Sequence, residues 1–376
     1  MSFQPPAGPP PPPPGGPPPP GNPYPPQGYP GQWPQQQPWA AGPPPKKRGN
    51  GWKWGLGALA VLVVIGVTAA VTILVTKDGA DGADGGPSPT GETFGLASAD
   101  DKGPANIITE DPSCAAWGPI NDTFADVQKK GWSERDPAVP AADWTAAQRA
   151  QYEEVGRAAQ SAADQTVKLA KLTPHRVMRE LYEQFIAYAR VLSDVIPNYT
   201  ASDDHVARIV TTTGAVIVYV CSAITYGAAE ARAPLVAAPA LPSEFAPPSD
   251  PANPSRFMTS EDSTCSDWEK LLNEYKDDVQ PWLAIDPSIP ASNWTSEQRA
   301  AIDATIPVMN RHADSVEDLG RSSDNPVVQD LAVFSAQYRR AYADALPTYT
   351  SADGYLDSTA HRTTSIIYEA CKATGA

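Results

Sequence analysis

The sequence predicts an all-α protein: two tandem four-helix bundle-like repeats outside the membrane, preceded by one transmembrane helix and a disordered Pro-rich tail. Three observations predict it. A block of the chain recurs 150 residues later, an uncharged run of 23 residues lies near the N-terminus, and both copies carry helix caps followed by apolar residues at three-four spacing. Charge is divided unevenly along the 376 residues. Up to Lys77 there are five basic residues and no acid, which leaves 23 basic against 43 acidic groups from Asp78 onward, a net charge of −20 there. So acidic a region argues against nucleic acid as a partner.

The tail, residues 1–50, holds 21 of the 43 prolines before residue 46, with runs from Pro9 to Pro14 and from Pro17 to Pro20, and aromatics at Tyr24, Tyr29, Trp33 and Trp39. Such a composition cannot bury enough apolar surface to fold. Polyproline II is already ordered for docking into aromatic grooves, so a cytoplasmic partner of the tail is one expectation and a plain spacer the other. The transmembrane helix is placed at 52–76. Trp54 to Thr76 lacks charge and is flanked by Lys53 and Lys77, and about 20 helical residues cross a hydrocarbon core of about 30 Å. Lys46, Lys47, Arg48 and Lys53 precede the run, while Asp78, Asp81 and Asp84 follow it. That bias puts the N-terminus in the cytoplasm and the rest outside a plasma membrane crossed once. No small-x-small cleavage site follows, so the anchor is read as uncleaved. Residues 77–112 form a Gly/Asp/Pro-rich linker.

Repeat one spans 113–226 and repeat two 263–376, joined by an Ala/Pro-rich linker at 227–262. Trp132, Asp136, Pro137, Pro140, Ala141, Trp144, Thr145, Gln148, Arg149 and Ala150 recur at the 150-residue offset as Trp282, Asp286, Pro287, Pro290, Ala291, Trp294, Thr295, Gln298, Arg299 and Ala300. In each repeat a first helix starts near the first cysteine. Thr145-x-x-Gln148 and Thr295-x-x-Gln298 are capping boxes opening the second helices, and Thr173-Pro174 and Asn325-Pro326 read as N-cap plus first-turn proline for the third. Those third helices stop at Pro197 and Pro347, and Thr200-x-x-Asp203 and Thr350-x-x-Asp353 open the fourth. In an up-down-up-down bundle the start of helix one and the end of helix four share one end. Cys114 is therefore expected to pair with Cys221, and Cys265 with Cys371, closing loops of about a hundred residues that contribute on the order of 4 kcal/mol each in the chain-entropy model. Whether the repeats pack together or hang as beads on 227–262 is left open.

The chemistry is sparse. His175, His205, His312 and His361 have no His at the offset position, and all four read as surface residues. No zinc-spaced Cys pair, HExxH, GxSxG or phosphate loop occurs, so neither a metal nor a cofactor is expected. Trp144 can stack on Arg149, and Trp294 on Arg299, as a variant of the hydrophobic staple. The alternative is a recognition patch at one end of each bundle, formed by Trp132, Asp136, Trp144 and Arg149 and by Trp282, Asp286, Trp294 and Arg299. Asp143, Glu153, Glu154 and Asp164 read as a solvated helix face.

A tail of Pro runs with Pro23-Tyr24 and Gly28-Tyr29-Pro30, then Lys46-Lys47-Arg48, one span and an Ala-rich acidic exterior resembles proline-rich single-pass membrane proteins of mycobacteria and related actinobacteria. The resemblance implies a cell-envelope setting and carries no assigned activity. The expectation is a non-enzymatic binding, scaffold or sensor module that links an extracytoplasmic protein or envelope ligand to a cytoplasmic partner. The alternatives are an envelope-acting enzyme, whose cleft and perturbed carboxylates would sit in one repeat only, and a structural stalk.

Overall fold

Thr145 and Thr295 start long helices because their hydroxyls accept the backbone N–H of Gln148 and Gln298, whose side chains reach back to the N-cap. In the computed structural model, which describes residues 93–376, these helices are α2 (Ala146–Leu172) and α8 (Ser296–Arg321). Repeat one adds α1 (Cys114–Gln128), α3 (Arg176–Val195) and α4 (Asp204–Thr225), and repeat two adds α6 (Cys265–Asp278), α9 (Pro326–Ala345) and α10 (Gly354–Ala373). Two short helices, α5 (Ala228–Arg232) and α7 (Gln280–Leu283), follow α4 and α6. The described residues are helices, 3-10 turns and loops, without a strand. The tail, the expected span at 52–76 and the linker as far as residue 92 lie outside them.

Within repeat one, α1 packs on α2, α2 on α3, α3 on α4 and α4 back on α1; α6, α8, α9 and α10 repeat that ring. The first and last helix of each ring carry the cysteines, and Cys114 is bonded to Cys221 and Cys265 to Cys371, the expected pairing. The described residues 93–376 fall in one compact unit, so the repeats are not beads. Their main joint is α4 against α10, as extensive as α2 against α3.

Two straps interlock the repeats. The segment before repeat one donates the Ile108 backbone N–H to the Tyr338 hydroxyl of repeat two (3.2 Å), and the Tyr188 hydroxyl of repeat one donates to the Met258 carbonyl just before repeat two (3.3 Å). These contacts stand at equivalent positions, since Ile108 and Met258, like Tyr188 and Tyr338, are 150 residues apart. Asp111 and Asp262 close each strap, accepting from Thr173 and Ser323 at 2.5 and 2.6 Å. The 227–262 linker folds back over both repeats: Arg321 donates to the Ala240 carbonyl, and Arg190 to that of Ala252. Enclosed by straps, ring neighbours and each other, α3 is buried on every side from Arg176 to Ala189, and α9 almost throughout.

Several boundaries differ from expectation. α3 starts at Arg176, three residues after Thr173: the Thr173 hydroxyl donates to Asp111 and accepts from the His175 N–H, and the Arg176 N–H is capped by Asp101 of the strap at 2.7 Å. Asn325 caps α9 as expected, accepting from Val327 and Val328. Thr200 and Thr350 form their capping boxes on a 3-10 turn ahead of α4 and α10. Ala201–Thr225 is long and apolar enough to cross a membrane, with mean hydropathy 1.6. Its apolarity has a core explanation, for α4 lies between α1, α3 and α10.

Close helix contact makes Gly320 sensitive. A Cβ there would stand 2.0 Å from the Ala332 Cβ on α9, whereas at Gly156 it would meet only the tip of Ile196, at 2.5 Å. Gly320→Ala is expected to destabilise by about 1–3 kcal/mol. Gly156→Ala is expected to stay within about 1 kcal/mol of neutral, because the helical preference of Ala offsets the Ile196 shift. Chemical denaturation of both variants checks this.

Candidate functional site

The sequence-nominated corner is a set of loop fasteners. Trp144 donates its indole N–H to the Val139 carbonyl (2.9 Å) and Trp294 to that of Ile289 (3.0 Å). Arg149 and Arg299 lie 5.7 and 5.9 Å from those ring centres and donate to the Ala141 and Ala291 carbonyls. The Trp–Arg stacking is therefore present in both repeats. Trp132 and Trp144 are only 5% and 8% exposed and pack with Tyr152 and Tyr199. Trp294 is buried against Tyr349, and Trp282 is half-buried against Tyr342. Asp136 and Asp286 are exposed and accept from the N–H groups of Ala138 and Ser288. These residues thus close their own loops, and the tryptophans turn inward.

Of the four histidines, His312 is buried, a correction to the sequence reading, while His175, His205 and His361 are half-buried. His175 bonds through Nε2 to the Glu110 carbonyl (2.8 Å), and His205 Nδ1 lies 2.7 Å from Glu369 across the α4–α10 joint. His312 is buried and stacks on Tyr275 with ring centres 3.9 Å apart. Around it repeat two has a polar core. Arg339 pairs with Asp357 and covers the Tyr275 ring at 4.9 Å, and His361 is felt by both Arg339 and His312. Burial pushes the Tyr275 and Tyr342 phenols up. Burial first, and then Arg339, keeps His312 well below the usual imidazole value, and the same causes with Arg362 bring His361 down to about 3. In repeat one the equivalent positions hold Phe124, Ala162, Ala189, Ala207 and Thr211, an apolar and small set.

A second charged cluster lies where α3 meets α9. Arg176 binds both oxygens of Asp330 at 2.7 and 2.9 Å, with both residues under 3% exposed, and reaches the Asp101 and Gly103 carbonyls of the strap. Glu180, Arg179 and Glu183 complete it. The α4–α10 joint carries a third network: Asp204 receives Arg135 and Arg208, and Arg208 lies 3.7 Å from Glu369. Burial works to raise the Asp204 carboxyl, but the two guanidinium groups outweigh it and hold it low. At the position equivalent to His205 and Glu369 stand Tyr355 and Tyr219, which meet ring to ring at 6.4 Å, with Tyr226 stacked on Tyr355.

A sequence model of the family described as mycobacterial ESX-1 associated protein matches residues 96–375. The chain belongs to that family. The match opens at Leu96, where the first strap begins to pack, and closes one residue before the chain's last, so it takes in the whole interlocked unit. The chain is also 49% identical over 341 residues to an uncharacterized protein of Mycolicibacterium smegmatis (strain MKD8), covering 90% of each chain. No solved structure matches.

Among the described residues no group of three or more His, Cys, Asp or Glu is placed to hold a metal ion. A polar groove of about 540 Å³ runs along α2 and α3, lined by Arg157, Gln160, Ser161, Asp164, Gln165 and Ser193. Four ionisable groups of the repeat-two core are closed from solvent, Tyr275, His312, Arg339 and Asp357 each being under a tenth exposed, while His361 is half-buried. Sequence comparison could have found this core. Its signal is charged residues aligned with alanines that lie on apolar helix stripes.

Arg339→Met leaves Asp357 as an uncompensated buried charge and is expected to destabilise by about 3–5 kcal/mol, with part recovered in R339M/D357N. Denaturant titration of the two variants measures this. Because His312 and His361 are held below their unfolded values, their contribution is present above about pH 6.5 and is lost as pH falls toward the folded values. Unfolding midpoints of His312→Gln are expected to fall less steeply than wild type between about pH 6.5 and 4.5.

Proposed function

We propose that this chain is a non-catalytic accessory protein of the ESX-1 secretion system, anchored in the plasma membrane by residues 52–76. The Pro-rich tail faces the cytoplasm, and the interlocked helical unit stands outside as a scaffold for an envelope or secretion-system partner. The family match over residues 96–375 carries the reading. Two further observations support it. Both cysteine pairs are bonded, which suits an oxidising exterior, and the basic residues flank the expected span on its N-terminal side. The repeat-two polar core is the observation that favours an enzyme. Tyr275, His312, Arg339 and Asp357 of that core are each under a tenth exposed and contact one another.

The test is deletion of the chain in a mycobacterial host, with secretion of ESX-1 substrates as the readout. Loss of export, restored by the full chain and not by one lacking residues 2–45 or carrying C114A/C221A, is the expected outcome; unchanged export overturns the proposal. A membrane-impermeant maleimide added to intact cells should label Leu235→Cys and spare Ser2→Cys. The opposite labelling overturns the orientation.

A further inference from the structure

The joint between α3 and α9 holds more acid than base. Arg176 and Arg179 face Glu180, Glu183, Asp330 and the strap residue Asp101, whose neighbour Lys102 is exposed and lies over Phe245. Asp330 uses both oxygens on Arg176. By the 150-residue offset Asp330 is equivalent to Glu180, so a symmetric joint would place a second arginine at position 326 to serve Glu180. Position 326 is proline, the first residue of α9. Glu180 is thus 1% exposed with neither oxygen hydrogen-bonded, and its nearest cation, Arg179 Nη2, stands 3.7 Å away. Arg179 is shared with Glu183 at 3.6 Å, and its Nε has no hydrogen-bond partner.

A buried carboxylate in that position is strongly disfavoured unless it takes up a proton. The charges acting most strongly on Glu180 are Asp330 of α9 and Arg179, Arg176 and Glu183 of its own helix, and none comes from α2 or α4. The inter-repeat linker adds the Ser249 side chain, which favours the charged form of Glu183. We propose that the α3–α9 joint is a proton-operated clamp: Glu180, protonated from solvent, stops repelling Asp330 and closes the joint, and its deprotonation loosens it. Because Arg176 also holds the Asp101 and Gly103 carbonyls, loosening the joint frees the strap that leads back toward residues 1–92. The clamp thereby couples the strap to repeat two.

The direction follows from linkage. Burial, reinforced by Asp330, raises the Glu180 carboxyl well above its ordinary value, and burial brings Glu183 up to about 7. Stability from these groups is full below the unfolded carboxyl value of about 4.3 and is lost as pH rises through the folded values. His312 and His361 impose the opposite trend from α8 and α10, so the readout must be local.

Hydrogen exchange of the full-length chain, corrected for intrinsic rates, supplies it at about pH 5 and about pH 8.5, on either side of the Glu183 value. Opening of α3 and α9 in wild type is expected to increase at the higher pH by at least about tenfold, the equivalent of one pKa unit. Glu180→Gln is expected to abolish most of that increase, and Glu183→Gln a smaller part. Equal pH dependence in wild type and E180Q overturns the clamp, as does pH-independent protection in wild type. Infrared spectra of wild type give a check that changes nothing at Glu180. A protonated-carboxyl C=O band that persists near pH 6 and vanishes as α3 loosens is expected, and no such band near pH 6 overturns the proposal.

Discussion

Arg176 and Asp330 are removed from water together, each completing the other's hydrogen bonding, and the placement of α3 against α9 depends on that exchange. Leaving either residue unpaired in the interior costs about 3–5 kcal/mol, so the third helices have one relative position in which both are satisfied. The same guanidinium holds two strap carbonyls, and the strap's Asp101 caps the N-terminus of α3. One side chain therefore ties together the start of a helix, a crossing segment and the opposite repeat.

Around that pair the two copies enclose each other. Each sends its leading strap over the third helix of the other, through a tyrosine hydroxyl at equivalent positions. This reciprocity explains why α3 and α9 are buried on all sides although each repeat has only four main helices. It also explains the unusual apolarity of α4, which faces α10 of the other copy as well as its own ring. The repeats then diverge within the shared frame. Repeat one fills its ring with Phe124, Ala162, Ala189 and Ala207, while repeat two places Tyr275, His312, Arg339 and Asp357 at those positions. Charged groups of that kind require partners around them, and in repeat two they find them in one another.

How much was legible follows from the range of the forces involved. Both capping boxes at Thr145 and Thr295, the Asn325 cap, the stops at Pro197 and Pro347 and the Trp–Arg stacks were readable, because each is settled by groups within a few residues along the chain. The start of α3 was not, since the residue that caps it, Asp101, lies 75 positions away. The cysteine pairing was readable because duplication states twice which helix ends meet. His312 was misread because a lone His on a helix is exposed or buried according to its neighbour in space, and His312 has Tyr275 for that neighbour.

The sequence by itself determined the all-helical class, the duplication, the cysteine pairs and most helix ends, all through local hydrogen bonding and a period visible along one dimension. Only the tertiary structure decided that the repeats interlock, that Tyr275, His312, Arg339 and Asp357 share one core, and that Glu180 stands without a cation of its own. Those outcomes depend on which surfaces lose water together. That is set by helices and straps that are more than a hundred residues apart in the chain and meet only after folding.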